Sequence, residues 1–531
     1  MKTLALSVVF LMLAFPAMAQ RQIDFRPYEL PTSGSIVVPV AEGDSLTGVA
    51  AAVDANTNGA ISLAASEASF TGELNQTLTL YGIKPYSRVD LIGVGSDPLD
   101  RVATEHFGGL AASLNDGASG TAVSVLWSGI ERDADATGGR VAFGYRLGDY
   151  RFDRYHEDRL DPSTLGGITI YSDDAGAEAE FNGDLGHLAS AVYLARDLSS
   201  EPGNVIYPQS FVDRVSEQFR GLKNVKIRVL DEKDMKRFGM GAHLGVGSGS
   251  SRPPRLLLME YMAGGDRPTL ALAGKGITFD SGGVSLKDND GMWKMKADMT
   301  GAAVVSATVL AAARRGADVN VVGLAALAEN MPSGTAIRPG DVLTSMSGKT
   351  IEISSTDAEG RLVLSDAVYF AQVEYSPAVL IDVATLTGSV SRAVGPDYAG
   401  LFSRDDELAA RLLDAGVTSG EQLWRLPLND AFFERIESNI ADVVNGGVSA
   451  AGASIGAAFI GTFVAKDQSW AHLDIAGVDY ADEASPTVPM GFSGWGVRVL
   501  DEFIRRNYES VPGRGCLRFI GGSNLSSGSY L

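Results

Sequence analysis

The sequence predicts an α/β protein of two domains, on three observations. The first is length, since 531 residues exceed what one hydrophobic core serves. The second is that strand-like and helix-like segments alternate from about Asn204 to Tyr508, an order that builds a mixed or parallel sheet flanked by helices. The third is a smaller preceding unit, about Ile23 to Ile168, in which apolar runs are separated by Gly, Asp and Asn turns.

At the amino terminus, Lys2, the apolar run Leu4 to Phe15 and the small-x-small Ala17-Met18-Ala19 read together as a signal peptide over 1–19, cleaved before Gln20. The apolar run is shorter than the ~20 residues a bilayer-spanning helix needs, so the expectation is an exported protein, periplasmic or extracellular, with no membrane attachment after cleavage. In the first domain, 20–168, the runs Ser35 to Val40 and Ala122 to Trp127 are predicted strands. The acidic, Gly/Ala-rich stretch Tyr171 to Glu178 marks a boundary. His187 to Leu198 then has helical periodicity, so 169–198 reads as a linker and connecting helix.

Within 199–509, Thr269 to Ala273 reads as a buried strand and Gly301 to Arg315 as an alanine-rich helix. Val319 to Leu324 and Val379 to Val383 read as further strands. Ligand-binding loops of such sheets lie at the carboxyl ends of the strands, where Lys275, Asp280 and Thr385 to Gly388 are expected. The tail, 510–531, contains the Gly/Ser-rich stretch Gly521 to Ser529 and is predicted to be flexible.

Aspartate and glutamate outnumber lysine and arginine 65 to 44, and a net charge of -21 with no basic run argues against nucleic acid or an anionic membrane as partner. Cys516 is the only cysteine, so no intrachain disulfide can form and packing must supply the stability.

The chemistry concentrates in four places. Thr356-Asp357-Ala358-Glu359-Gly360-Arg361-Leu362 carries two carboxylates and a guanidinium, and upstream stand Gly274-Lys275-Gly276-Ile277-Thr278-Phe279-Asp280-Ser281-Gly282-Gly283, Lys287 and Asp298. An isolated Asp-x-Glu pair reads as a solvated loop. Gathered at one buried site, Asp280, Asp298, Asp357 and Glu359 carry about -4 and need compensation, which two divalent cations provide. Oxygen donors leave zinc, manganese, magnesium and cobalt open. A lysine that ligates a metal must be neutral. Its pKa must fall from ~10.4 to below ~7, roughly 5 kcal/mol, which direct coordination of Lys275 would supply. Lys287 alone reads as a solvated lysine; beside metals it would stay charged and stabilise an oxyanion.

Further blocks in the same order are Glu329-Asn330-Met331-Pro332-Ser333-Gly334, Asp382-Val383-Ala384-Thr385-Leu386-Thr387-Gly388 and Trp470-Ala471-His472-Leu473-Asp474-Ile475-Ala476-Gly477. Together, over roughly residues 190 to 505, these motifs closely resemble the leucyl aminopeptidase family of two-metal exopeptidases. The resemblance implies that Asp280 and Glu359 bridge two metals, manganese or zinc, that Lys275 and Asp298 complete one site, and that Asp357 completes the other. It implies that the substrate is a peptide with a free amino terminus, attacked by a metal-activated hydroxide. Lys287 would polarise the carbonyl, and Arg361, opening a helix, would hold a bicarbonate that shuttles the proton. Met295 and Leu386 match pocket-lining positions of the family, although plain core packing explains either equally well. His472, in an apolar strand, reads as a core or supporting residue. The resemblance further implies a macro-like amino-terminal domain and a homohexamer.

Two departures from the family pattern stand out. Ser355 replaces an asparagine beside the metal-binding aspartate, at the pocket wall, and Gly491-Phe492-Ser493-Gly494-Trp495-Gly496 brings two aromatics into a segment that is smaller in the family. Both leave the preferred N-terminal residue open. Two other readings remain: a non-catalytic binding or regulatory protein, opposed by retention of every site residue, and a two-metal phosphoesterase, opposed by Lys275 and the motif order.

Overall fold

A computed structural model describes residues 21–115, 122–157, 159, 164–446 and 450–509. The expected signal peptide and the tail lie outside the described residues. No described helix is long and apolar enough to cross a membrane.

The first sheet has six strands in the order Ile23–Pro27, Ile168–Ser172, Val123–Trp127, Gly34–Ala41, Tyr86–Gly95, Thr77–Tyr81, all parallel except the last pair. Tyr171 and Ser172, expected at a boundary, instead pair with Leu126 and Trp127 inside this sheet. The reason is local: Ile168 to Tyr171 is an apolar, β-branched and aromatic run that a central position can bury on both faces. The connecting helix, Gly186–Ser200, begins one residue before the expected one and ends two later.

The second sheet has eight strands in the order Leu423–Arg425, Ala399–Ser403, Trp470–Asp474, Val379–Ala384, Thr269–Asp280, Asn320–Asn330, Arg255–Met262, Val225–Leu230. Its four middle strands are parallel and its flanks are joined by antiparallel pairs, so the sheet is mixed. Side chains of Asn320–Asn330 alternate between two cores: Val321, Ala325 and Leu327 join one, and Val322, Leu324 and Ala326 the other. The first of these cores continues into the small sheet through Val37, Ile92 and Trp127, so the two sheets share a hydrophobic interior.

The expected strand Thr269 to Ala273 continues to Asp280, and this extension shapes the site. Lys275 and Asp280 therefore lie on the strand itself, not in a loop beyond it. Five residues apart, they would point to opposite faces of a regular strand. A bulge intervenes: Ile277 pairs with Ala328 and Phe279 with Glu329, leaving Thr278 as an extra residue. That residue turns Asp280 onto the face of Lys275.

The helix Gly360–Tyr375 packs on that face and is pinned by a buried acid. Asp366 accepts backbone N–H bonds from His243 at 2.9 Å and Met346 at 2.7 Å. Burial nevertheless pushes its carboxyl up to about 7, the N–H groups pulling the other way. With the folded pKa above the unfolded value of about 4, its contribution is fully present below pH ~4 and is lost as pH rises through ~7, up to roughly 3–4 kcal/mol. Wild type is therefore expected to lose stability relative to Asp366→Asn between pH 5 and pH 8, read as a changing gap in urea midpoints. A constant gap would refute the assignment.

Candidate active site

The strand bulge, the loop after it and the start of the Gly360–Tyr375 helix bring the four acids together at the floor of a cavity of about 700 Å³. Ligand atoms of Asp280, Asp357 and Glu359 all lie within 4.8 Å of one another. Two lysines are threaded between the acids. Lys275 Nζ lies 2.7 Å from Asp298 Oδ1 and 3.0 Å from Glu359 Oε1, while Lys287 Nζ lies 2.8 Å from Asp280 Oδ2 and 2.5 Å from Asp357 Oδ1.

Close approach at two glycines makes this possible. A Cβ at Gly360 would stand 2.5 Å from Lys275 Cε, so any larger residue would displace the lysine side chain from its ion pairs. Gly282 has φ +86, which turns the chain after Asp280, and a Cβ there would stand 2.9 Å from Asp357 Oδ1. The loop bearing Lys287 is tied to the segment before Asp357. Thr356 Oγ1 donates to Gly282 O at 2.6 Å and accepts from Ser285 N at 2.8 Å, and Ser285 Oγ accepts from Thr356 N at 3.1 Å.

The cluster is short of positive charge. Burial and the neighbouring Glu359 push Asp280 up to about 6, and burial holds Asp298 well above the usual carboxylate range. Burial would raise Glu359 too, but Lys275 and Lys287 outweigh it and hold it down. For Lys275 burial disfavours the ammonium, yet Asp298, Glu359 and Asp280 keep it strongly protonated. To ligate a metal, the role expected of it from the sequence, Lys275 must shed this proton, which direct coordination would offset. Two buried oxygens, Asp298 Oδ2 and Glu359 Oε2, have no hydrogen-bond partner among the described residues. Buried acceptors without partners are costly, and four carboxylates facing two lysines leave a net negative site, so this donor set fits divalent cations.

Arg361 lies in the first turn of the helix and lines the cavity. Its Nη1 donates to Asn445 O at 2.6 Å, and its buried Nε has no partner among the described residues. Met295 and Leu386 both line the cavity. Ser355 does not: its hydroxyl accepts the N–H of Asp357 at 3.2 Å, the short-range turn that serine favours, so it shapes the backbone of a cluster residue instead of the pocket wall. Of the two unusual aromatics, Phe492 lines the cavity, whereas Trp495 is buried in the shared core. His472 is wholly buried, with Nδ1 2.6 Å from Asp382 Oδ1 in a network that includes Trp470 Nε1, and it lies away from the cavity.

Three residues outside the expected ligand set hold the cluster in shape, and one of them, Thr385, opens a loop that the sequence already places at the strand ends. Asn330 donates to Asp280 Oδ1 at 2.8 Å and to Thr356 O at 3.0 Å, joining the two acid-bearing segments. Thr385 donates its hydroxyl to Asp298 Oδ1 at 2.8 Å and its carbonyl accepts from Lys275 Nζ at 2.8 Å. Asp474, fully buried, accepts from Leu386 N at 3.1 Å and from Thr387 Oγ1 at 2.7 Å, which fixes the loop carrying Thr385. All three stand inside recognisable blocks, but pairing across strands distant in sequence is what assigns their partners.

Comparison with known proteins agrees with this geometry. Residues 193–501 match the catalytic domain of the cytosol aminopeptidase family, and residues 37–159 match its N-terminal domain. A probable cytosol aminopeptidase of Methylorubrum populi is 43% identical over 490 residues, covering 90% of this chain and 96% of that protein. Another, from Caulobacter vibrioides, is 41% identical over 498 residues, covering 92% and 100%. Among solved structures, a lysine-to-glutamate mutant of tomato leucine aminopeptidase superimposes with a TM-score of 0.82 at 30% identity, covering 92% of this chain and 97% of that one. The bottromycin maturation enzyme BotP in complex with Mn gives 0.78 at 30% identity, covering 90% and 99%. With both domains matched and a carboxylate cage at the heart of the larger one, the chain belongs to the cytosol aminopeptidase family and is a metal-dependent aminopeptidase.

Proposed function

We propose that the chain removes N-terminal residues from peptides at two divalent cations held by Lys275, Asp280, Asp298, Asp357 and Glu359, with Asp280 and Glu359 shared between them. The observation that carries this reading is the pair of partnerless buried oxygens, Asp298 Oδ2 and Glu359 Oε2, among four acids and two lysines. Oxygen donors with one nitrogen suit manganese or zinc, and BotP was solved with Mn. Bound there, the cations supply Lewis acidity and activate water at neutral pH.

The chain's own groups do the rest. Lys287, whose ammonium is held protonated by Asp280 and Glu359 despite burial, donates toward the scissile carbonyl oxygen as negative charge grows on it. Arg361, at a helix start with an unpartnered Nε, holds an anion such as bicarbonate for proton transfer. Thr385 orients Asp298, and Met295 and Leu386 wall the space for the first side chain. The positive, apolar and small-residue succession from Lys2 to Ala19 supports export to the periplasm or exterior. The family resemblance supports a homohexamer.

Metal-loaded protein is expected to release the first residue from leucine amide, alanine amide and cysteinylglycine, to spare N-acetylated and phosphate monoester substrates, and to lose turnover on chelation. Cleavage of the acetylated peptide, or turnover that survives chelation, would sink the reading. Amino-terminal sequencing of secreted protein tests cleavage before Gln20, and light scattering tests the hexamer.

A further inference from the structure

The same cavity carries an acid for which the reaction has no evident use. Asp479 lines it in company with Met295, Leu386 and Phe492, on the turn that follows strand Trp470–Asp474. Its backbone is fixed at both ends, its N–H donating to Ile475 O at 3.1 Å and its carbonyl accepting from Ser493 N at 2.9 Å. Among the described residues, no ion pair reaches its carboxylate. The cation that bears on it most is Lys294, and that ammonium is engaged elsewhere: by Asp482 at 3.3 Å and by the face of the Tyr480 ring at 4.0 Å. The Tyr480 ring in turn packs edge-on against Phe492, with centroids 5.0 Å apart.

We infer that Asp479 is a specificity-determining residue, selecting peptides whose N-terminal side chain is cationic, lysine or arginine; this rests on the reading of the cavity as the substrate site. Lysine and arginine combine an aliphatic stem with a charged head. Met295, Leu386 and Phe492 offer apolar surface for the stem and Asp479 an anion for the head. An apolar first residue would cover Asp479 without pairing it, and an acceptor left unpaired beneath a bound side chain discriminates far more strongly than one methylene of fit. Burial already pushes the Asp479 carboxyl up to about 7, Lys294 pulling the other way, so an arriving cation meets a group that gains from being paired.

The test is kcat/KM of the metal-loaded enzyme on the 4-nitroanilides of arginine, lysine, ornithine, norleucine and leucine. Wild type is expected to favour arginine and lysine over norleucine by about tenfold or more, and Asp479→Asn to lower the arginine-to-norleucine ratio by about tenfold or more, mainly through KM of the cationic substrates. Asp479→Glu, with the same charge one carbon further out, is expected to keep a cationic preference and shift it toward ornithine. Free L-arginine should inhibit wild type more tightly than L-norleucine, a readout that needs no variant. A wild type that favours norleucine, or an Asp479→Asn loss equal on all substrates, as an α-ammonium contact would give, overturns the inference while leaving the aminopeptidase reading intact. Failure to cleave any free-amine substrate overturns both.

Discussion

Glu359→Ala is expected to lower kcat by about 10³-fold or more, beyond the ~10–100-fold typical of groups that merely support metal ligands. One oxygen of Glu359 meets Lys275 at 3.0 Å, the other has no partner among the described residues, and the residue stands within the cluster formed with Asp280 and Asp357. Removing it opens a hole between the two lysine-linked pairs and takes away the acid proposed to be common to both cations. Metal content by mass spectrometry should fall below two equivalents per chain, with circular dichroism unchanged because the strands and helices do not depend on this side chain. Near-native turnover with two metals bound would refute the shared role.

Glu105→Ala is expected to destabilise the protein by about 3–5 kcal/mol, the scale for breaking a buried ion pair and leaving its partners uncompensated. Glu105 is fully buried on helix Arg101–Leu114 and holds three guanidiniums: Arg101 at 3.4 Å, Arg140 at 3.0 Å, and Arg498 of the C-terminal helix Val497–Tyr508. Burial would raise its pKa, but the three arginines outweigh that and hold it below the usual range. Without it those cations face one another where the first domain meets the C-terminal helix, and among the described residues Arg101 keeps Glu502, at 2.7 Å. Urea unfolding should show the midpoint falling, with catalysis per folded molecule changed little because Glu105 does not line the cavity. A midpoint within error of wild type would show that the network contributes nothing net.

The acids and lysines of the site could be found in the sequence because their chemistry is unusual wherever they stand: a lysine between glycines before an Asp-Ser-Gly-Gly turn, and two acids with an arginine at a helix start. Strand and helix positions also followed from periodicity, as with Gly301 to Arg315 against the observed Thr300–Arg314. The length of the central strand did not, because polar and glycine residues from Gly274 to Asp280 look like a loop when the neighbouring strand that pairs with them is unknown. For the same reason the N–H that the Ser355 hydroxyl accepts is not legible in the sequence: a hydroxyl's direction depends on which N–H lies nearby.

By itself, then, the sequence determined the order of elements, the identity of the cluster and the family chemistry it resembles, since these are written in residue types at short spacing. Tertiary structure alone decided how the pieces meet. The Thr278 bulge brings Lys275 and Asp280 to one face, Asn330 and Asp474 lock segments tens of residues apart, and Asp479 comes to line the same cavity as Met295. The physical reason is that a side chain's partners across a sheet are set by register and packing, which depend on the whole chain at once.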